Sequence, residues 1–286
     1  MKQYKEYTFQ LERLPEGMMP EDAFDLVADR LAAKGFESFE YDQKGLIGYL
    51  PANEDNFPEK GLFALAFPDV QCRYTSRMLP SETHYNAVWE REEAKPVIVA
   101  NTLYIRAPHH PPCSGMLKEI MIAPHDTFGT ASHPTTRMML EMLLEADLRG
   151  TKGADVGCGT GILGIAALLQ GANDVTFIDT DERAVANTSE NLALNGLHNA
   201  TLLHGTLEEA HLAALDFLFA NLHRNIIIEE LPRYRSTLRE GGSLLVSGFW
   251  QDQDAENVCA AAAWVGFVPF SSRSCEGWSA LGFYAR

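Results

Sequence analysis

Asp155-Val156-Gly157-Cys158-Gly159-Thr160-Gly161 closes a short apolar run, Ala154 to Val156, and opens a segment of helical length, Ile162 to Gln170. A strand that passes through glycines into a helix makes a sharp βα turn. Without β-carbons the backbone turns tightly and lets a ligand come close. The amides at the helix start suit a carboxylate or a phosphate. Downstream, Phe177-Ile178-Asp179 ends a second apolar run. An acidic side chain there can accept hydrogen bonds from both hydroxyls of a ribose. Loop, spacing and acid together indicate a nucleoside-containing cofactor.

Outward from this loop, helices alternate with short apolar strands from about Thr135 to the end. Helices are expected over Thr136 to Ala146, Ile162 to Gln170, Glu182 to Asn195 (stopped by Gly196), Arg224 to Leu238 and Asp252 to Val265. Strands are expected at Ala154 to Val156, Val175 to Ile178, Ala200 to His204, Phe217 to Ala220 and Ser243 to Ser247, the last turned in by Gly241-Gly242. This alternation implies a parallel, doubly wound sheet. Two closing strands, Phe267 to Arg273 and Trp278 to Tyr284, imply an antiparallel hairpin at its edge. Met138, Met139 and Met142 read as core filler.

Two cofactors compete for the loop. Gly159-Thr160-Gly161-Ile162-Leu163-Gly164 is a literal G-x-G-x-x-G, and Asp179 follows at about the dinucleotide spacing. Three features favour S-adenosylmethionine. Asp155 sits just before the glycines, where an acid can orient the loop and contact a cationic methionine end but would repel a pyrophosphate. Asn221 ends the strand at Phe217 to Ala220, at the carboxyl edge where such sheets bind ligands. Its amide can both donate to and accept from a substrate amine. The antiparallel finish is usual in methyltransferases and unusual in dehydrogenases.

The first eighty residues read as a separate small α+β unit. Tyr4 to Leu11 alternates as a strand does. Pro20-Glu21-Asp22 opens an amphipathic helix that stops at Lys34-Gly35. Phe36 to Tyr41 and Leu46 to Leu50 read as strands about a turn at Asp42 to Gly45. A short helix at Phe57 to Phe67 and a strand at Val70 to Met78 follow. That order is the ferredoxin-like split βαβ. Residues 81–95 read as a helical linker. Val97 to Ile105 and Ile120 to Ile122 read as strands around the loop His109-His110-Pro111-Pro112, whose histidines fit a solvated loop better than a metal site.

Composition narrows the class. The net charge of -16 disfavours duplex nucleic acid and favours a basic protein partner. The five cysteines are scattered, with no C-x-x-C, which suggests free thiols and neither zinc nor a redox pair. Neither a signal peptide nor a run long enough to span a bilayer is seen, so a cytoplasmic monomer is expected. No internal repeat is visible.

These residues bring a resemblance into view. The chain resembles the methyltransferases that modify protein eleven of the large ribosomal subunit. The most distinctive stretch is Phe128-Gly129-Thr130-Ala131-Ser132-His133-Pro134-Thr135-Thr136, against F-G-T-G-x-H-x-T-T in that family. Ile178-Asp179-Thr180-Asp181, Ala220-Asn221-Leu222, Asn86-x-x-Trp89 and Gly277-Trp278 follow suit. The resemblance implies a class I S-adenosylmethionine-dependent methyltransferase domain, Rossmann-like, over residues 96–286, preceded by a ferredoxin-like domain over 1–80 that grips the ribosomal protein. It implies that Thr136, Gly157, Asp179 and Asn221 contact the cofactor and that amines receive the methyl groups. Two departures stand out. Ala131 replaces a glycine, and Asn221-Leu222-His223-Arg224 replaces A-N-I-L beside the acceptor.

The expected division of labour follows. Gly157, Gly159 and Gly161 pack against methionine and ribose, with Asp155 beneath them, and Asp179 holds the ribose. Thr130 and Thr136 line the loop over the methionine, and Asn221 holds the nucleophile. His133 is either a base or a residue that pins its own loop. Trp278 is either a wall of the acceptor pocket or core. A lysine methyltransferase for another protein, an NAD-dependent oxidoreductase, a small-molecule methyltransferase and a non-catalytic ribosome-binding module remain the alternatives.

Overall fold

The computed structural model describes residues 4–15, 18–32, 34–36, 38–42, 45–52, 55–65, 69–78, 95–113, 115, 118–123, 129, 131–198, 200–251 and 253–286. The chain divides into two compact units, Met1–His84 and Tyr85–Arg286. The helical linker expected over 81–95 lies, but for Lys95, outside the described residues, as do Asn86 and Trp89.

In the first unit, β1 (Tyr4–Arg13), α1 (Pro20–Ala32), β2 (Ser38–Asp42), β3 (Gly45–Pro51), β4 (Lys60–Leu65) and β5 (Val70–Met78) follow in order. The sheet order is β2-β3-β1-β5-β4, and every pair is antiparallel. Alternation along β1 sends Tyr7 and Phe9 into a core with Phe36, Phe63, Tyr74 and, from α1, Ala23, Val27 and Leu31. The four-residue spacing of the helical members is what a buried stripe requires. Asp55 anchors this core at one end, accepting from Tyr7 Oη at 2.6 Å and Lys5 Nζ at 2.8 Å.

The strands β2-β3-β1-β5 keep the ferredoxin-like order. The helix expected at Phe57 to Phe67 is not formed: Lys60–Leu65 is instead an edge strand, β4, paired with β5. Pro58 and Gly61 disfavour a helix there, and of the strand's hydrophobics Phe63 is buried while Leu62 is exposed, an alternation suited to a sheet edge.

The second unit opens with a small sheet, β6 (Val97–Val99), β7 (Leu103–Arg106) and β8 (Lys118–Met121). The single strand expected over Val97 to Ile105 is a hairpin, turned at Ala100 and Asn101 with φ of 49° and 53°. Two successive left-handed residues form the primed turn that hairpins favour, and no glycine there announced it.

The large sheet comprises β9 (Lys152–Val156), β10 (Asp174–Asp179), β11 (Ala200–His204), β12 (Leu215–Asn221), β13 (Leu238–Trp250), β14 (Phe267–Cys275) and β15 (Trp278–Ala285). Its order is β11-β10-β9-β12-β13-β15-β14. The first five strands are parallel and β15 pairs antiparallel with both β13 and β14. Strand β13 extends well beyond the expected Ser243 to Ser247 and absorbs Gly241-Gly242. The helices are α2 (Pro134–Leu144), α3 (Ile162–Leu169), α4 (Glu182–Leu194), α5 (Arg224–Thr237) and α6 (Gln253–Trp264).

Alternation along β12 divides the core. Phe217 and Phe219 join the cluster that holds residues of α2, α3 and α4, whereas Leu218 and Ala220 join that of α5 and α6. Both sheet faces are therefore covered, as a parallel sheet requires. The strand order reverses between β9 and β12, so their carboxyl ends bound the crevice where such sheets hold ligands. Among the described residues no helix is long and apolar enough to cross a membrane.

Candidate active site

The site grows from the end of β9. Gly157, Gly159 and Gly161 have φ of 68°, 55° and 77°, a region costly for any residue with a β-carbon. Space is equally tight: a β-carbon at Gly157 would lie 2.4 Å from Leu222 Cδ2, and one at Gly161 would lie 2.7 Å from Thr188 Cγ2. The loop is held from behind, with the amides of Gly157 and Cys158 both donating to Ile178 O at 2.8 and 3.1 Å.

Asp155 is buried beneath the loop, and its Oδ2 accepts from the Gly164 amide at 2.9 Å, inside the first turn of α3. That contact supports the orienting role expected of it. Burial raises its pKa to about 7, and nearby Asp179 adds to the rise. Gly164, third glycine of the apparent dinucleotide pattern, has a packing reason: a β-carbon there would lie 2.2 Å from the Phe177 ring.

Asp179 ends β10. Its Oδ2 accepts from the Gly159 amide at 3.0 Å and its Oδ1 from the Asp181 amide at 2.9 Å. A carboxylate has about four acceptor positions, so capacity remains for two hydroxyls. Asp181 caps α4 by accepting from the Arg183 amide.

Asn221 ends β12 at the other side of the crevice. Its Nδ2 donates to Thr135 Oγ1 and Thr136 Oγ1, both at 3.3 Å. Both threonines are 1% exposed, in the first turn of α2. With the amide nitrogen directed to these hydroxyls, the oxygen is the group available to a substrate amine. The backbone beyond is fixed too. Leu222 N donates to Ser247 O at 3.0 Å, and Gly248, φ 104°, passes so near that a β-carbon would lie 2.3 Å from Leu222 O. Arg224 turns away to pair with Asp254 at the start of α6.

His133 is the N-cap of α2. Its Nδ1 accepts from the Thr135 amide at 3.3 Å and lies 2.7 Å from Thr135 Oγ1. Since that hydroxyl already accepts from Asn221, its proton is free to go to Nδ1, which places the imidazole proton on Nε2. Burial lowers the His133 pKa, only partly opposed by Glu276. The ring meets the half-buried Trp278 edge-on at 5.0 Å, and Trp278 stacks on Trp250 at 4.2 Å. This geometry supports the pinning role for His133 over that of a base.

Thr130 lies outside the described residues. Its neighbours Gly129 and Ala131 have φ of 113° and 61°, so Ala131 adopts the left-handed conformation that a glycine would take at less cost. Among the described residues no group of three metal-ligating side chains is found. His110 Nδ1 accepts from Ala107 N in its own loop, and the five cysteines are free thiols.

Thus Asp155, Gly157, Gly159, Gly161 and Asp179 gather on one side of the switch point, and His133, Thr136 and Asn221 on the other. Thr135 and Asn191 were not singled out from sequence. Thr135 sits inside the H-x-T-T motif, and the spacing Asn187, Asn191, Asn195 is visible in hindsight.

The set suits a nucleoside with a zwitterionic, cationic tail. Gly161 supplies no side-chain cap to α3, so amides of its first turn can meet a carboxylate. Asp179 can meet a ribose, and nothing in the set calls for a pyrophosphate.

Comparison with known proteins agrees. The sequence profile of the family described as "Ribosomal protein L11 methyltransferase (PrmA)" matches residues 52–285. The ribosomal protein L11 methyltransferase of Porphyromonas gingivalis is 37% identical over 286 residues, 98% of this chain and 97% of that protein. The protein of that name from Phocaeicola vulgatus is 34% identical over 91% of this chain and 92% of its own length. The crystal structure of ribosomal protein L11 methylase from Lactobacillus delbrueckii subsp. bulgaricus superposes with a TM-score of 0.62 at 26% identity, covering 67% of this chain and 98% of that one.

Proposed function

The chain belongs to the ribosomal protein L11 methyltransferase family and takes S-adenosylmethionine as cofactor, and from that premise we propose that it methylates amines, of lysine side chains or an α-amino group, on ribosomal protein L11. The observation that carries this reading is the Asn221 amide, tethered through its nitrogen to Thr135 and Thr136 so that its oxygen faces an incoming N–H.

When bound, S-adenosylmethionine supplies an electrophilic methyl group on a sulfonium. The residues of this chain do the positioning, and alignment is worth much of the barrier in such a displacement. Asp179 and the 157–161 loop hold the nucleoside, and Thr136 borders the methionine end. Asn221 Oδ1 accepts from the acceptor amine and turns its lone pair toward the methyl. A lysine, with an ordinary pKa of about 10.4, has to arrive neutral, and contact with the apolar faces of Trp278 and Trp250 favours that form. The neutral His133, whose Nδ1 is occupied, serves the α2 cap, and the amine proton leaves to water.

We assign the grip on the ribosomal protein to the first unit, because the match to full-length relatives runs through it while the cofactor residues all lie in the second. A nicotinamide-dependent oxidoreductase is not favoured, since the matching family and the full-length relatives are methyltransferases.

The test is transfer of isotopically labelled methyl groups to purified, unmodified L11, with other ribosomal proteins as controls. Selective labelling of L11 is expected. An enzyme that binds S-adenosylhomocysteine yet leaves L11 unlabelled would sink the substrate assignment.

A further inference from the structure

Asn187, Asn191 and Asn195 recur every fourth residue along α4 and its C-cap, so they share one stripe. Asn187 is 3% and Asn191 0% exposed. Buried amides need partners, and these find them on the backbone that leaves β8. Asn195 Oδ1 accepts from Met121 N at 2.9 Å while its Nδ2 donates to Met121 O at 2.8 Å. Asn191 Oδ1 accepts from Ala123 N at 2.8 Å, and Asn187 Nδ2 donates to Ala123 O. The three side chains thus act as a neighbouring strand would, bonding alternate residues of an extended segment. That segment leads to Gly129 and the His133–Thr136 turn.

Asn191 differs from the other two. Its Nδ2 donates to Thr160 O at 2.9 Å, within the glycine loop. Thr160 is itself 0% exposed, and its Oγ1 donates to Gly129 O at 2.6 Å. A chain of three bonds results: Ala123 to Asn191, Asn191 to Thr160, Thr160 to Gly129. One amide thus joins the glycine loop to the backbone that leaves β8.

We infer that Asn191 is a positioning residue for cofactor binding, holding the glycine loop in register with the 121–123 segment and, through Thr160, with Gly129. This rests on the cofactor site described above. A leucine would fill the space but leave Ala123 N and Thr160 O unpaired. Asn195 supplies the control, since it holds Met121 of the same segment without touching the loop.

The test measures S-adenosylhomocysteine affinity by calorimetry, with melting temperature alongside. Wild type comes first: failure to bind would strike the cofactor site itself, not this inference. Asn191→Ala loses two buried hydrogen bonds and is expected to weaken binding about tenfold, with KM for S-adenosylmethionine rising likewise and kcat at saturation nearly kept. Asn195→Ala is expected to lower the melting temperature comparably with affinity nearly unchanged. Asn191→Leu fills the space but pairs with neither Ala123 N nor Thr160 O, and is expected to bind as poorly as Asn191→Ala; it replaces that variant if the alanine form does not fold. Unchanged affinity in a folded Asn191 variant, or equal losses at Asn191 and Asn195, overturns the inference.

Discussion

Asp155 is a carboxylic acid kept out of water with one backbone amide for company, and its protonation is coupled to folding. Its pKa rises from an ordinary 3.8 to about 7 on folding. Between those values the folded state binds the extra proton, so this group's contribution to stability falls as pH rises through the window and levels off above it. Asp155→Asn keeps an acceptor for Gly164 N and carries no charge. Denaturant unfolding from pH 4 to 9 should show the variant gaining on wild type up to about pH 7, by on the order of a few kcal/mol, then running parallel. Parallel curves throughout would mean that the charge is tolerated. His133 is tested by replacement too. Asparagine is a strong N-cap and no base, so His133→Asn should keep most activity, whereas His133→Ala should lose about 1 kcal/mol of stability; inactivity of a well-folded His133→Asn would restore the base. The residues found from sequence, Asp155, Asp179 and Asn221, stand at strand ends, where local pattern gives location. Thr135 was missed because its bond to Asn221 spans 86 residues and exists only in the fold.

At the scale of elements, the bulge in β13 positions the acceptor side. Its pairing with β15 shifts between Ser247 and Phe249, and Gly248 at the shift lets the Leu222 backbone lie against it. Gly248→Ala should cost about 1–3 kcal/mol through strain and collision and lower kcat by displacing Asn221. Gly196→Ala, also at positive φ but with nothing within 4 Å, should cost stability alone. Equal kcat in the two variants would show that the bulge does not position Asn221. The alternation of helices and strands after Thr135 was legible because each element has one apolar period and ends at a polar or glycine residue. Strand β4 and the β6–β7 hairpin were not. In β4, Pro58 and Gly61 spoke against a helix, but the partner that makes a strand of it, β5, is not visible in a local window; in the hairpin, Ala100 and Asn101 took a turn usually signalled by glycine. The asparagine stripe of α4 was hidden because amides in a helix ordinarily face solvent.

For the whole molecule, the charge of -16 matters more than any one ion pair. The exposed pairs Arg77–Glu6 and Arg73–Glu12 on the first unit are worth little each. A long-range negative field would instead attract a basic acceptor, and salt screens such a field. KM for L11 should therefore climb steeply between low and physiological ionic strength, while affinity for S-adenosylhomocysteine changes little; insensitivity of KM to salt would remove charge from recognition.

The large sheet also decides how firmly the acceptor side is held. Strand β15 lies between β13 and β14 and bonds to both. The far edge of β13, with the bulge behind Asn221, is therefore tied down only through β15. Sheets open locally from their less protected edges, so loosening of the β14–β15 hairpin would release the Ser247–Gly248 backbone on which Leu222 rests. The rigidity of the acceptor pocket is thus borrowed from the hairpin at the rim of the sheet.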